Sequence, residues 1–151
     1  MTEVTGIDHL YLTVSDLPRA TAFYDQVMNV LGFRRNTFSL SGDPHVQYYN
    51  RHFGIVLRPA KNAGSAHDPC NPSAPGLHHL CLRVDTADDV RDAAKALQAL
   101  GIAASEATLH AEYAPDYWAT FFTDPDGIRL EITNYRQERR VRHDRWDQVV
   151  P

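Results

Sequence analysis

The chain has 151 residues, of which 15 are basic and 19 acidic, and its net charge of −4 excludes the basic footprint that nucleic acids or anionic membranes require. Its start lacks a basic and apolar leader, and no apolar run approaches the ~20 residues of a membrane span, so we expect a cytoplasmic protein that acts on a small oxygenated metabolite. Cys70 and Cys81 are the only cysteines, which excludes a disulfide framework and leaves nitrogen and oxygen as ligands for any metal.

A strand with one polar side opens the chain, and a helix follows it. Apolar residues alternate with His9 and Tyr11, so both of these side chains point away from the apolar side. The helix begins within Ser15-Asp16-Leu17-Pro18, where a side-chain oxygen can cap its free amides, and ends near Gly32. Three further strands complete a βαβββ module over residues 4–59: Phe33–Leu40, Val46–Asn50 and Phe53–Arg58.

The second module, residues 76–135, repeats this pattern after a proline-containing linker at residues 60–75. The segments that begin the two modules match each other, and the match aligns His79 with His9. Asp124–Gly127 is predicted to be a tight turn, and its acids are assigned to turn structure. The remaining elements of this module are predicted as a helix after Thr86, one weak strand within residues 103–113, and strands at Tyr117–Thr123 and Ile128–Tyr135.

Two such modules predict an α+β fold. If they meet edge to edge and pair into a curved, half-barrel mixed sheet, the polar sides of their strands line one cup. We expect residues 1–135 to form this single domain. The tail, residues 136–151, carries five arginines and little apolar content, which predicts a surface helix or arm. Its Trp146 is expected to pack on a partner subunit, so we expect a homodimer.

Three side chains on the polar sides of their strands form a candidate ligand set for a metal. The repeat matches His9 with His79. Glu131 alternates with apolar residues on the last strand, and the alignment of the two modules makes it the equivalent of Arg58. Two imidazoles and one carboxylate suit a divalent metal with open positions, and the set accepts iron, manganese, nickel, cobalt or zinc. Taken singly, each residue also fits a hydrogen-bonded strand histidine or an exposed strand carboxylate.

Several motifs together resemble the vicinal oxygen chelate superfamily, which includes glyoxalases, extradiol dioxygenases, and fosfomycin- and bleomycin-resistance proteins. They are the His-Leu-x-Leu-x-Val strand starts, the Val14-Ser15-Asp16-Leu17 junction, Phe23-Tyr24 on the following helix, and the ending Asp124-Pro125-Asp126-Gly127-x-x-Leu130-Glu131. The resemblance implies that the paired modules hold a metal that chelates vicinal oxygens of a substrate. It also implies His9, His79 and Glu131 as the ligands.

The resemblance to each single family is partial. Glyoxalase I takes a fourth ligand from the position that the alignment gives here to Arg58, which argues against that activity. Fosfomycin-resistance transferases carry lysine and serine in a segment that corresponds to residues 106–116, where this chain has neither. Extradiol dioxygenases use two histidines and one glutamate with nearby His and Tyr residues as acid–base groups.

Six further residues are predicted to contribute to the site. Proton transfer is assigned to His110, Tyr113 and Tyr11, although strand tyrosines and a solvated loop histidine are common without any such role. Substrate contacts are assigned to Arg58, Tyr117 and Phe121. Arg58 suits a substrate carboxylate, or a pair with a neighbouring acid. Cys81 is expected to form part of the wall rather than to act as a nucleophile.

These patterns favour a metal-dependent enzyme, either a lyase or isomerase or an extradiol ring-cleaving dioxygenase. The alternative is a metal-free protein that sequesters an aromatic drug, as bleomycin-resistance proteins do. A third possibility is an interaction subunit with a relic site. Retention of all three ligand-type residues favours the enzyme.

Overall fold

The computed structural model describes residues 2, 4–61 and 76–148. Contacts divide the chain into two compact units, Met1–Asn71 with Asp124–Gly127, and Pro72–Thr123 with Ile128–Pro151. Each unit contains one four-stranded mixed sheet, and three α-helices occur in the described residues, which confirms the predicted α+β class. Pairing of the units into a half-barrel stays a prediction. Most of the predicted linker, with Cys70, lies outside the described residues.

The first unit contains β1 (His9–Val14), α1 (Leu17–Val30), β2 (Arg34–Leu40), β3 (Asp43–Tyr49) and β4 (Gly54–Pro59). The sheet order is β1-β4-β3-β2, with β1 parallel to β4 and the other pairs antiparallel. The Asp16 side chain accepts a hydrogen bond of 2.9 Å from the amide of Arg19, which caps α1. The strand β3 begins before the predicted Val46, because Ser41 and Gly42 both adopt positive φ and make a two-residue hairpin.

The second unit contains β5 (Leu80–Val84), α2 (Ala87–Ala99), β6 (Thr108–Leu109), β7 (Trp118–Thr123), β8 (Arg129–Asn134), α3 (Gln137–Asp144) and a 3₁₀ turn at Trp146–Gln148. Its sheet order is β5-β8-β7-β6, with β5 parallel to β8. A capping box between Thr86 and Asp89 begins α2. The predicted tail helix is present as α3, none of whose residues is buried. No described helix has both the length and the apolar character needed to cross a bilayer.

Each sheet buries one face against its helix and presents the other as a separate, more polar face. In the first unit the helix side includes Leu57 and Val46, and in the second it includes Leu130 and Ile132, all of them buried. Strand alternation turns the intervening side chains away from the helix. This alternation places His9, Tyr11 and Arg58 in the first unit, and Phe121 and Glu131 in the second, on the face opposite the helix.

The turn Asp124–Gly127 is confirmed, and its acids also attach it to the start of α1. The Ser15 amide donates to Asp126 Oδ2 at 2.9 Å, the Ser15 hydroxyl donates to the same carboxylate, and Arg19 pairs with it at 3.2 Å. The buried Tyr24 hydroxyl donates to Asp124 Oδ2 at 3.0 Å. These contacts explain why four residues distant in sequence belong to the first unit.

We expect Tyr24→Phe to lower the free energy of unfolding by about 1–3 kcal/mol, because it removes a donor from a carboxylate that is 4 % exposed. Urea unfolding at pH 7 measures the change. Tyr49→Phe is the matched control, since that ring is 40 % exposed, and it should be nearly neutral. Equal losses in the two variants would contradict the assigned hydrogen bond.

The same phenol predicts a loss of stability at alkaline pH. Burial, reinforced by the charge of Asp124, raises the pKa of Tyr24 well above its ordinary value near 10. The unfolded chain therefore ionises this group first, so its stabilising contribution is complete below pH ~10 and is lost as the pH rises above that value. Tyr24→Phe should show a shallower decline than the wild type above pH ~10.

Candidate functional site

The polar face of the second unit brings several predicted site residues together. Cys81 and Phe121 both pair in register with Glu131, from β5 and β7 respectively. Residues opposite one another in a ladder project to the same side of the sheet, so the three side chains lie next to each other. His79 directly precedes β5, and its side chain contacts that of Glu131.

A histidine–carboxylate pair forms the centre of this face. His79 Nε2 lies 3.4 Å from Glu131 Oε2, and the two side chains are 43 % and 6 % exposed. The Tyr117 hydroxyl donates to the other carboxylate oxygen, Glu131 Oε1, at 2.5 Å. Because Oε1 contacts Tyr117 and Oε2 contacts His79, the carboxylate has a fixed orientation, with Oε2 facing His79.

His78 also contacts this pair, although strand alternation predicts it on the opposite side. Its Nδ1 lies 2.8 Å from His79 Nδ1. Alternation does not apply here, because β5 begins only at Leu80 and the two histidines lie in irregular backbone. One of the two Nδ1 atoms must carry the proton, and the contact leaves His79 Nε2 directed towards Glu131.

Two neighbouring groups are held in their protonated forms. Burial, reinforced by the hydrogen bond to Glu131, raises the pKa of Tyr117 well above its usual range. Burial of the thiol, followed by the charge of Glu131, raises the pKa of Cys81 to about 12. A thiol with this pKa is a poor nucleophile at neutral pH, which agrees with the expected wall role.

The predicted aromatic residues form one cluster next to Glu131. His110 stacks on Tyr113 with ring centroids 5.3 Å apart and packs edge-on against Phe121 at 5.3 Å. Tyr113 contacts Tyr117 at 5.4 Å, so the cluster reaches the hydroxyl that binds Glu131. His110 Nδ1 also lies 3.0 Å from Glu112 Oε1. The ring of Tyr113 is 61 % exposed and is therefore accessible.

The first unit carries His9 and Tyr11 on its own polar face. Their rings lie 5.4 Å apart, and Asp8 Oδ2 approaches His9 Nδ1 at 2.6 Å. Beyond Tyr11 is the buried His45, which stacks on Phe38 at 5.0 Å. His45 was missed in the sequence analysis, because the predicted strand began at Val46. Since β3 begins at Asp43, alternation along it places His45 on the polar face. A cleft of about 410 Å³ includes His9 in its wall.

The registers of the paired strands show that the predicted equivalence of Arg58 and Glu131 between the two modules is wrong. Tyr11 pairs with Val56 in the first unit, whereas Cys81 pairs with Glu131 in the second. Since the repeat matches Tyr11 with Cys81, the residue equivalent to Glu131 is Val56. The error arose from aligning Gly54 with Gly127, which have different roles: Gly54 lies within β4, whereas Gly127 has positive φ in a turn.

Arg58 is directed towards an acid of its own unit. Its Nη2 lies 3.9 Å from Asp43 Oδ2, and Lys61 approaches the same carboxylate at 3.0 Å. The hydrogen bond from Lys61, reinforced by the charges of Lys61 and Arg58, lowers the pKa of Asp43. The buried Nε of Arg58 has no hydrogen-bond partner among the described residues, so one donor is left for a further acceptor.

The ligand set as a whole is not assembled in the structure. Within residues 4–61 and 76–148, no three His, Cys, Asp or Glu side chains already surround one point as a metal site would. The second unit supplies His79 and Glu131 as a pair, with four aromatic site residues beside them. The first unit supplies His9, Tyr11 and Arg58.

Several solved structures have a fold similar to that of this chain. The chain resembles a glyoxalase/bleomycin resistance protein/dioxygenase domain from Frankia sp. EAN1pec, with 24% identity, 89% and 100% of the two chains covered, and a TM-score of 0.70. It also resembles lactoylglutathione lyase from Agrobacterium tumefaciens (23%, 88% and 96%, TM-score 0.63). A third similar structure is the fosfomycin resistance protein FosX from Listeria monocytogenes (17%, 92% and 99%, TM-score 0.61).

These likenesses at low identity show the fold. The family itself is shown by a sequence model that matches residues 6–132, which include both histidine strands and Glu131. The chain belongs to the glyoxalase/bleomycin resistance protein/dioxygenase superfamily.

Proposed function

We propose that the protein is a metal-dependent enzyme that binds a small substrate or intermediate through two vicinal oxygens. The observation that carries this proposal is the His79–Glu131 pair, held on a sheet face beside a cluster of aromatic and proton-bearing side chains. The reaction class is that of a lyase or isomerase, or of an extradiol ring-cleaving dioxygenase.

The geometry of the pair fits a metal. Two ligand atoms that are each ~2.1 Å from one ion lie roughly 3.0–3.4 Å apart, and His79 Nε2 and Glu131 Oε2 are 3.4 Å apart. The contact from His78 and the hydrogen bond from Tyr117 would orient these ligands, as outer partners do in metal sites. We assign the third ligand to His9, because the repeat matches it with His79. The FosX structure was solved with Mn(II) and sulfate, which supports a divalent ion here.

When bound, such an ion would supply Lewis-acid stabilisation of negative charge on the substrate oxygens. The chain itself would orient the substrate and move protons. Tyr117 keeps its proton and fixes Glu131, while His110 and Tyr113 present stacked rings for a planar substrate and, with Tyr11, groups for proton transfer. Phe121 closes the side of the cluster next to Glu131.

The exposed aromatic cluster also supports a second candidate function, metal-free binding of an aromatic compound. Tyr113 and Phe121 are 61 % and 36 % exposed, which is favourable for stacking of a flat ligand. The two functions differ in their dependence on metal. The enzyme requires His79 and Glu131 as ligands, whereas the binding protein does not.

Titration of cobalt-loaded protein with a bidentate oxygen ligand, such as a catechol, a hydroxamate or a 2-oxo acid, tests the proposal. We expect its visible absorption to change, because three protein ligands leave roughly three positions on an octahedral ion. A compound with only one of the two oxygens is the control and should act more weakly. No response to any chelating ligand, with tight binding of a bulky aromatic to metal-free protein, would favour the second function.

The same loaded protein distinguishes the reaction classes. Oxygen uptake with a catechol on the iron form selects the dioxygenase, and deuterium exchange from solvent into a 2-oxo acid selects the isomerase or lyase. We expect little turnover of the methylglyoxal–glutathione hemithioacetal, because Val56 offers no donor at the position of a fourth ligand.

A further inference from the structure

The second unit contains a basic cleft that none of the proposed catalytic roles uses. It has a volume of about 470 Å³ and lies between α3 and the end of β5. Four arginines and two large aromatic residues dominate its wall: Arg83, Arg136, Arg139, Arg142, Tyr135 and Trp146. We call this the α3 cleft.

The positive charge of the α3 cleft is largely uncompensated. Its one carboxylate, Glu138, pairs with Arg142 at 2.5 Å on the exposed surface. Arg83, Arg136 and Arg139 form no ion pair with a carboxylate in the described part of the chain. Three guanidinium groups that share a cleft repel one another, and a bound anion would relieve this repulsion.

Aromatic rings hold two of these guanidinium groups in place. Arg83 lies over the Tyr135 ring at 4.2 Å, and Arg136 lies over the Tyr117 ring at 5.2 Å. Arg140, outside the cleft, anchors α3 through the carbonyl of Asp85. Stacked guanidinium groups keep their in-plane donors free and lose less side-chain entropy on binding.

The α3 cleft adjoins the candidate metal site. Arg83 is two residues beyond Cys81 on β5 and faces the same side of the sheet. The ring of Tyr117 links the two regions, since it carries Arg136 on its face and its hydroxyl binds Glu131.

We propose that the α3 cleft binds an oxyanion, a carboxylate or phosphate, carried on the aromatic or planar body of the substrate. The arginines supply paired donors for the oxyanion, and the exposed ring of Trp146 supplies a surface for the ring of the ligand, since Tyr135 is already covered by guanidinium groups. The assignment of this ligand to the substrate rests on the proposed function, because the neighbouring pair is where the metal would bind. The substrate is then an acid with vicinal oxygens at a distance from its acidic group.

Calorimetric titration of the full chain in the presence of a chelator tests the cleft without any metal. The probes are phenylacetate and phenyl phosphate, which share a ring and differ in the anion, with benzyl alcohol as the neutral control. We expect one or both acids to bind more tightly than the alcohol and to weaken with added salt. Arg83→Gln and Arg139→Gln should each weaken binding about tenfold or more, because each removes a charge-assisted hydrogen bond.

Arg145→Gln is the matched control, since Arg145 ends α3 but does not line the cleft, and it should bind as the wild type does. Equal weakening in all three variants, or equal binding of acid and alcohol, would overturn the proposal. Absence of binding together with a dimer that dissociates in Trp146→Ala would show an interface between copies instead. His79→Ala separates the cleft from the metal site, because this variant should lose metal and still bind the acid. If it keeps its metal and still binds the acid, the metal site is wrong and the cleft stands.

Discussion

Replacement of Glu131 by alanine is expected to lower the affinity for a divalent metal by at least about hundredfold. We expect about one ion per wild-type chain after anaerobic purification, measured by elemental analysis, and almost none in Glu131→Ala or His79→Ala. The reason is geometric, since Oε2 of Glu131 and Nε2 of His79 face each other at 3.4 Å and form one edge of the proposed site. His9→Ala should show a similar loss.

Two controls sharpen this result. Asp92→Ala removes an exposed carboxylate from α2 and should leave metal content unchanged. His78→Ala should have an intermediate effect, a loss of about 10- to 100-fold, because His78 contacts the ligand without being one. Circular dichroism verifies that each variant is folded. Equal metal content in the wild type, His79→Ala and Glu131→Ala would disprove the site.

The two sheets were predictable because their signals are local. Alternation of apolar and polar residues identified the strands, and the repeat identified the second unit from the first. The boundaries that differed depended on backbone conformation, such as the start of β3 after the positive-φ pair at Ser41 and Gly42. The attachment of Asp124–Gly127 to α1 through Ser15 and Tyr24 is a contact between distant residues, which periodicity cannot reveal.

The position of Glu131 could also be predicted from the sequence, whereas its role as a metal ligand stays a prediction. Phase alone placed Glu131 on the polar face, and the structure brings it to His79. The partners that fix this pair, Tyr117 and His78, required the observed geometry. The equivalence of Val56 to Glu131 required the ladder registers, because Gly54 and Gly127 are alike in sequence but differ in conformation.

The corrected equivalence predicts that Val56→Glu will make the stability of the fold more dependent on metal. Val56 is 2 % exposed on the His9 face, so an unpaired carboxylate there should lower the free energy of unfolding on the order of 3 kcal/mol without metal. With metal, the carboxylate would become a fourth ligand beside His9, His79 and Glu131. An ion at a hundredfold excess over its Kd stabilises the fold by about 2.7 kcal/mol, and an added ligand should lower that Kd further.

Thermal unfolding with and without zinc or manganese measures this rescue. The gain in Tm from metal should be larger for Val56→Glu than for the wild type. Val46→Glu is the matched control, because Val46 has the same side chain and is also buried, but lies on the helix side of the same sheet. It should be destabilised without the additional rescue. If metal stabilises Val56→Glu no more than Val46→Glu, then the residue equivalent to Glu131 does not face the ion, and the proposed symmetry of the ligands fails.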